Sequence, residues 1–101
     1  PAAHQEEKRL HIHGLNADVH NLLAFSQRNS GDAETAYKNY QRALKIDPNH
    51  KRAREYLGEL YIPTGRIEEP RAQLDILKRL CPEGCEERED LEEALAEAAP
   101  K

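Results

Sequence analysis

Two punctuation marks recur at one fixed distance in this chain, and they restrict its fold more than any other feature. Gly31 and Gly65 lie thirty-four residues apart, and so do Pro48 and Pro82. Between each Gly and the Pro that follows it, apolar residues recur at intervals of three and four. That spacing predicts a helix opened after the glycine and stopped before the proline. The same offset superposes Leu23 on Leu57, Ala24 on Gly58, Tyr40 on Leu74, Ala43 on Leu77 and Ile46 on Leu80. Each unit therefore reads as helix, tight turn, helix, with a small residue at Ala24 or Gly58 where a neighbouring helix comes close. Such a unit cannot bury its apolar face alone, so the two are expected to stack.

Reading along the chain fills in the elements. Residues 1–15 show no clean period and are expected to form a weakly ordered segment or partial helix ending at Gly14. Asn16 is a good N-cap, and Val19, Leu22, Leu23 and Ser26 supply the expected core stripe of a helix from about Ala17 to Asn29. Asp32 is the expected cap of a second helix, with Ala33, Ala36, Tyr40, Ala43 and Leu44 on one face and an end near Ile46. Asn49 is the expected cap of a third, carrying Ala53, Tyr56, Leu57, Leu60 and Tyr61 and stopped by Pro63 and Gly65. The fourth carries Leu74, Leu77 and Leu80. Pro fits only a first turn, so Pro70 predicts a late start near Glu68 to Pro70, a shorter helix, and no loss on replacement by Ala. A fifth, from about Glu86 to Ala98, is acidic except for Leu91, Ala94, Leu95 and Ala98. It reads as a lid over Leu74, Leu77 or Leu80. The expected divisions are 1–15, 16–50, 51–84 and 85–101, and the expected class is all-α: two stacked helical hairpins plus a C-terminal capping helix.

Composition narrows the functional classes. The 101 residues are 38% hydrophobic and 34% charged, without Trp or Met, and the net charge is -4. An acidic chain lacks the overall field that draws nucleic acid or anionic lipid, so neither a nucleic-acid nor a membrane partner is expected. The charge is uneven. Lys38, Arg42, Lys45, Lys51, Arg52 and Arg54 oppose only Asp47 in the middle of the chain, whereas Glu83 to Glu97 is strongly acidic.

Leu23-Ala24, Gly31, Ala36, Tyr40, Ala43 and Asp47-Pro48, with Leu57-Gly58, Tyr61, Gly65, Leu74 and Pro82, resemble the tetratricopeptide repeat. Four positions depart from that pattern: His20 stands where Trp is usual, Gln27 where Tyr is usual, and Leu77 and Pro70 where a small Ala is usual. The segments Asn21 to Ser26, Glu55 to Tyr61 and Leu80 to Glu87 are similar to small bacterial proteins of this family that end in Cys-x-x-Gly-Cys-Glu-Glu. Many of those are exported, which implies the bacterial periplasm, with the cytoplasm as the alternative. The resemblance implies a non-catalytic scaffold that binds a protein or peptide through the concave face of the stack.

In such a stack the first helix of each hairpin lines the concave side. The residues off the expected core stripes, and so the candidate partner-binding set, are Asn21, Phe25 and Arg28 in the first unit and Arg52, Glu55 and Glu59 in the second. Phe25 lies roughly 110° from the centre of the Val19, Leu22, Leu23, Ser26 stripe at 100° per residue. It has two readings: an aromatic anchor for the partner, or a contact with Leu10 or Ile12. The positions used for a two-carboxylate clamp hold Asn21, Phe25, Tyr56 and Arg52, which does not match the Lys and Asn that such a clamp needs. The alternative function is structural self-association as a homodimer.

Other constellations are weaker. His11 and His13, with His4 and His20 nearby, point to different faces of a helix and lack a completing ligand, so no metal or other cofactor is expected. Cys81 and Cys85 lack the Cys-x-x-Cys spacing of redox and zinc motifs. They admit either a local disulfide across Pro82 and Gly84 or two reduced thiols. No nucleophile and base arrangement or phosphate loop is present, and no enzyme is expected.

Overall fold

The computed structural model describes residues 2–99, with side-chain surroundings from Asn16 onward. The described residues contain no strand. The helices are α1 (Ala2–Asn29), α2 (Ala33–Ile46), α3 (Lys51–Tyr61), α4 (Glu68–Leu80) and α5 (Glu86–Ala98), with a single 3-10 turn at Ile62–Thr64. The chain divides into two compact units, the first ending at His50 and the second beginning at Lys51. The first holds the α1–α2 hairpin. The second holds the α3–α4 hairpin and α5.

In the first unit, Gly31 takes φ 90°, and Asp32 then accepts a hydrogen bond from the Thr35 N–H at 3.3 Å to start α2. This glycine turns the chain between two antiparallel helices because only a residue without Cβ adopts that φ freely. α1 is longer than the sequence suggests, continuing through Gly14 instead of ending there. An interior Gly weakens a helix by only about 1 kcal/mol, and no Pro follows to enforce a stop.

The face that α1 turns toward α2 also differs from the expected one. Ala17, Asn21 and Ala24 are buried, whereas Val19, Leu22 and Leu23 are 58%, 66% and 46% exposed and Ser26 is exposed. The two stripes lie about 180° apart on the helix. The physical reason is size. α2 presents Ala36, Ala43 and the fully buried ring of Tyr40, and within the usual 8–10 Å range two helices come closest where the facing residues are small. Two alanines and an Asn leave room for the Tyr40 ring; leucines would hold the helices apart.

In the second unit the residues thirty-four positions on from Val19, Leu23 and Ser26 are buried, namely Ala53, Leu57 and Leu60, and Tyr56, thirty-four on from Leu22, is half-buried. Tyr61 leads into the 3-10 turn, and Gly65 at φ 78° reverses the chain. α3 starts at Lys51, two residues beyond Asn49. Asp47, rather than Asn49, organises the preceding turn by accepting the Asn49 N–H at 3.0 Å. α4 does begin at Glu68, but at 13 residues it is only one shorter than α2. Pro70 sits in its first turn, where a missing N–H forfeits no helical bond, and its ring is fully buried.

α5 packs on α3 as well as on α4. Leu91, wholly buried, reaches Gly58 of α3 instead of serving only as a lid over α4. Between α4 and α5, Cys81 and Cys85 are joined by a disulfide, with their α-carbons 6.0 Å apart. Gly84 at φ 104° turns the short loop that it closes.

Candidate functional site

The first unit's inner side is organised from α2. Asn39, 3% exposed, donates from Nδ2 to Gln27 Oε1 at 2.8 Å and accepts at Oδ1 from His20 Nδ1 at 3.2 Å in the tautomer that carries that proton. Arg42 adds a 3.4 Å contact to the same oxygen. His20 and Gln27 are the two α1 positions where the repeat ordinarily carries Trp and Tyr. Their departures are thus coupled: one buried amide binds both replacements, so a polar clamp holds α1 to α2 where aromatic packing would otherwise do so. Farther along, Asp18 meets His50 Nε2 at 2.6 Å, tying the start of α1's described side chains to the chain leaving α2.

Around this clamp the candidate residues differ in access. Asn21 is 4% exposed, and its Oδ1 finds no hydrogen-bond donor among the described residues. Phe25 and Arg28 are half-buried. Phe25 lies roughly 70° from the centre of the observed Ala17, Asn21, Ala24 stripe at 100° per residue, so it sits at the edge of the packed face.

The second unit gathers charge around one guanidinium. Arg52, part-exposed on α3, donates from Nη1 to Glu55 Oε1 at 2.7 Å, and Glu86, Glu87 and Asp90 of α5 each lie 3.6 Å from its nitrogens. It also stands 5.9 Å from the Tyr56 ring centre. Glu55 is buried under this group. Burial pushes its carboxyl up to about 8, and the charge and hydrogen bond of Glu59 push the same way, against the pull of Arg52. The raised carboxyl of Glu55 lies against Glu59 and accepts from Arg52 at Oε1. Arg54, on the next turn position, donates to Gln73 of α4 at 3.2 Å.

The structure therefore brings Arg52, Glu55 and Glu59 into one polar cluster within the second unit, and it adds Glu86, Glu87 and Asp90, from the stretch that the sequence marks only as strongly acidic. The Arg52 to Glu55 spacing of three on a helix was a readable signal; the α5 partners depended on tertiary packing. Asn39 was missed because it lies among exposed polar residues of α2 and periodicity gives an Asn no weight. Lys38, Arg42 and Lys45 are exposed. His4, His11 and His13 lie outside the residues whose side chains are described. Among the described residues no group of three His, Cys, Asp or Glu is arranged to hold a metal ion, and no helix is long and apolar enough to cross a membrane.

Against known families, a model of the tetratricopeptide repeat matches residues 28–80, from the end of α1 through α4 and just over half of the chain. A search of curated proteins finds no match.

Proposed function

The chain belongs to the tetratricopeptide-repeat family, and from that premise we propose that it binds another protein or peptide through the concave face of its repeats. Members of the family generally act as non-catalytic interaction modules. The observation that supports this reading here is the polar cluster on the first helix of the second hairpin, where the buried Glu55 accepts a hydrogen bond from the part-exposed Arg52. Phe25 and Arg28 in the first unit, and Arg52 and Glu59 in the second, are the groups that a ligand touches. Asn21 and Glu55 are buried on the same two helices, and Glu55 holds Arg52 through a hydrogen bond.

A guanidinium already held by neighbouring carboxyls, as Arg52 is, loses little side-chain freedom on binding, and aromatic rings and guanidinia are the groups that most often dominate interface energies. The two sets differ in chemistry. The first is apolar and cationic; the second is acidic with one cation at its centre. A ligand of this face is expected to present an apolar or acidic group to the first set and a basic group to the second.

Selection from a phage-displayed library of random dodecapeptides tests the reading. Peptides enriched on the wild-type chain should bind Phe25→Ala and Glu59→Ala at least tenfold more weakly, about 1.4 kcal/mol, while both variants melt within a few degrees of wild type. Enriched peptides that bind both variants as well as wild type would overturn it.

A further inference from the structure

We propose that the outward side of α1 is a self-association seam, on which a second copy of this chain packs its own α1. The observation is the exposed stripe of Val19, Leu22 and Leu23, with Ser26 on the same side. This seam is centred about 110° around α1 from Phe25, so it stands apart from the partner face proposed above. The repeat itself marks these as burial positions, because Ala53 and Leu57, thirty-four residues on from Val19 and Leu23, are 0% and 1% exposed.

Four features favour a second copy as the occupant. From Leu10 to Gln27, α1 carries a single ionised group, Asp18, in a chain that is 34% charged. Depletion of charge marks the core of an interface, and a chain of net charge -4 repels its own copy least along a charge-free strip. Second, Val19, Leu22 and Ser26 stand three and four apart, and counting sevens back along the unbroken helix reaches positions 12 and 15, which are Ile and Leu. That is a heptad of the kind that pairs two like helices. Third, α1 has 28 residues and its hairpin partner α2 has 14. At 1.5 Å per residue these are about 42 and about 21 Å long, so α2 is half as long as α1. Fourth, an apolar strip facing its own symmetry mate needs no complementary surface elsewhere on the chain.

The area fixes how tight the pairing is. The strip from Leu10 to Gln27, about 27 Å long and about 10 Å wide, covers roughly 270 Å² per copy, a third of the roughly 800 Å² per partner of a standard stable interface. The pair is therefore a weak dimer that forms at tens to hundreds of micromolar, and its hold is apolar, not ionic.

Sedimentation equilibrium of the full chain from 5 to 500 µM, in 50 mM and in 1 M sodium chloride, tests this. A monomer–dimer equilibrium is expected whose constant changes less than threefold with salt and weakens at least tenfold in Leu22→Glu. Circular dichroism checks that the variant stays helical. If Leu22→Glu unfolds, Leu22→Asn at the same exposed position serves the comparison and is expected to show the same loss. A monomer throughout overturns the proposal and leaves the stripe to a foreign partner. So does association that high salt dissolves, which would point to the basic side of α2 meeting the acidic α5, or association that Leu22 substitutions leave unchanged.

Discussion

Both methyl groups of Leu91 point at the bare α-carbon of Gly58, so that a Cβ placed on Gly58 would lie 3.0 Å from each of them and 3.4 Å from Gln73 Cβ. Gly58 is helical and gains nothing from unusual backbone freedom; it is small because α5 passes across it. Ala for Gly in a helix interior normally stabilises by about 1 kcal/mol. Here the forced repacking of a wholly buried leucine costs about 1 to 3 kcal/mol. Gly58→Ala should therefore lower stability by about 1 kcal/mol net. Leu91→Ala should lower it by about 3 kcal/mol, and the double variant by clearly less than the sum, because the new methyl enters the space that Leu91 leaves. Urea unfolding of the four proteins checks this, and strict additivity would refute the contact.

Pro70 makes a different kind of contribution. Its position in the first turn of α4 suggests that Ala is harmless there, since no helical hydrogen bond was lost. Its full burial says otherwise. Ala removes two buried methylenes, about 0.8 kcal/mol each, and frees the unfolded chain by about 0.4 to 1 kcal/mol. Pro70→Ala is expected to cost about 2 kcal/mol in chemical denaturation, whereas an unchanged midpoint would show that the ring packs on nothing that matters.

The contrast between these residues shows what the sequence reveals and what it hides. Gly31, Asp32, Pro48, Gly65 and Pro82 act locally, through φ angles, caps and missing donors, and each marks a helix end that the structure reproduces. The start of α4 at Glu68 and the span of α5 were legible for the same reason. Burial was less so. Hydrophobic period assigned the core of α1 to Val19, Leu22 and Leu23 because it weighs residues by apolarity, but a close hairpin selects by size and chose Ala17, Asn21 and Ala24. The polar clusters were hidden too. Arg52 and α5 are more than thirty residues apart, and Asn39 binds residues 12 and 19 positions away, distances at which no sequence period operates.

The disulfide offers a third check. It closes a loop of four peptide steps between α4 and α5, and for so short a loop the restriction of the unfolded chain is worth about 2 kcal/mol. Reduction with a phosphine, or the paired change Cys81→Ser with Cys85→Ser, is expected to lower the unfolding free energy by about that amount. The helical signal should persist, because α5 also holds to α3 through Leu91. Thiol titration of the untreated protein under denaturant should find no free sulfhydryl; two free thiols and no response to reductant would remove the bond from the account.

The last prediction follows from Glu55. Its carboxyl titrates near 4.5 in an unfolded chain and at about 8 in the folded one, where burial and Glu59 disfavour the charge and Arg52 only partly restores it. A group whose folded pKa is raised contributes its full stability below about pH 4.5, and that contribution is lost as pH climbs through about 8. Between those limits the unfolded chain releases the proton and the folded chain keeps it. Stability at constant ionic strength should therefore decline from about pH 5 to pH 8, by on the order of 3 kcal/mol from this site. Glu55→Gln keeps the shape and an acceptor for Arg52, which retains Glu86, Glu87 and Asp90 within 3.6 Å. It also removes the titration. The variant should match wild type near pH 5, melt about 4 to 8 °C higher at pH 8 for each kcal/mol regained, and show a flatter profile between. A Glu55→Gln profile parallel to wild type, or a Gln variant less stable at pH 8, would show that Glu55 is ionised in the folded chain and that the Arg52 pair outweighs its burial.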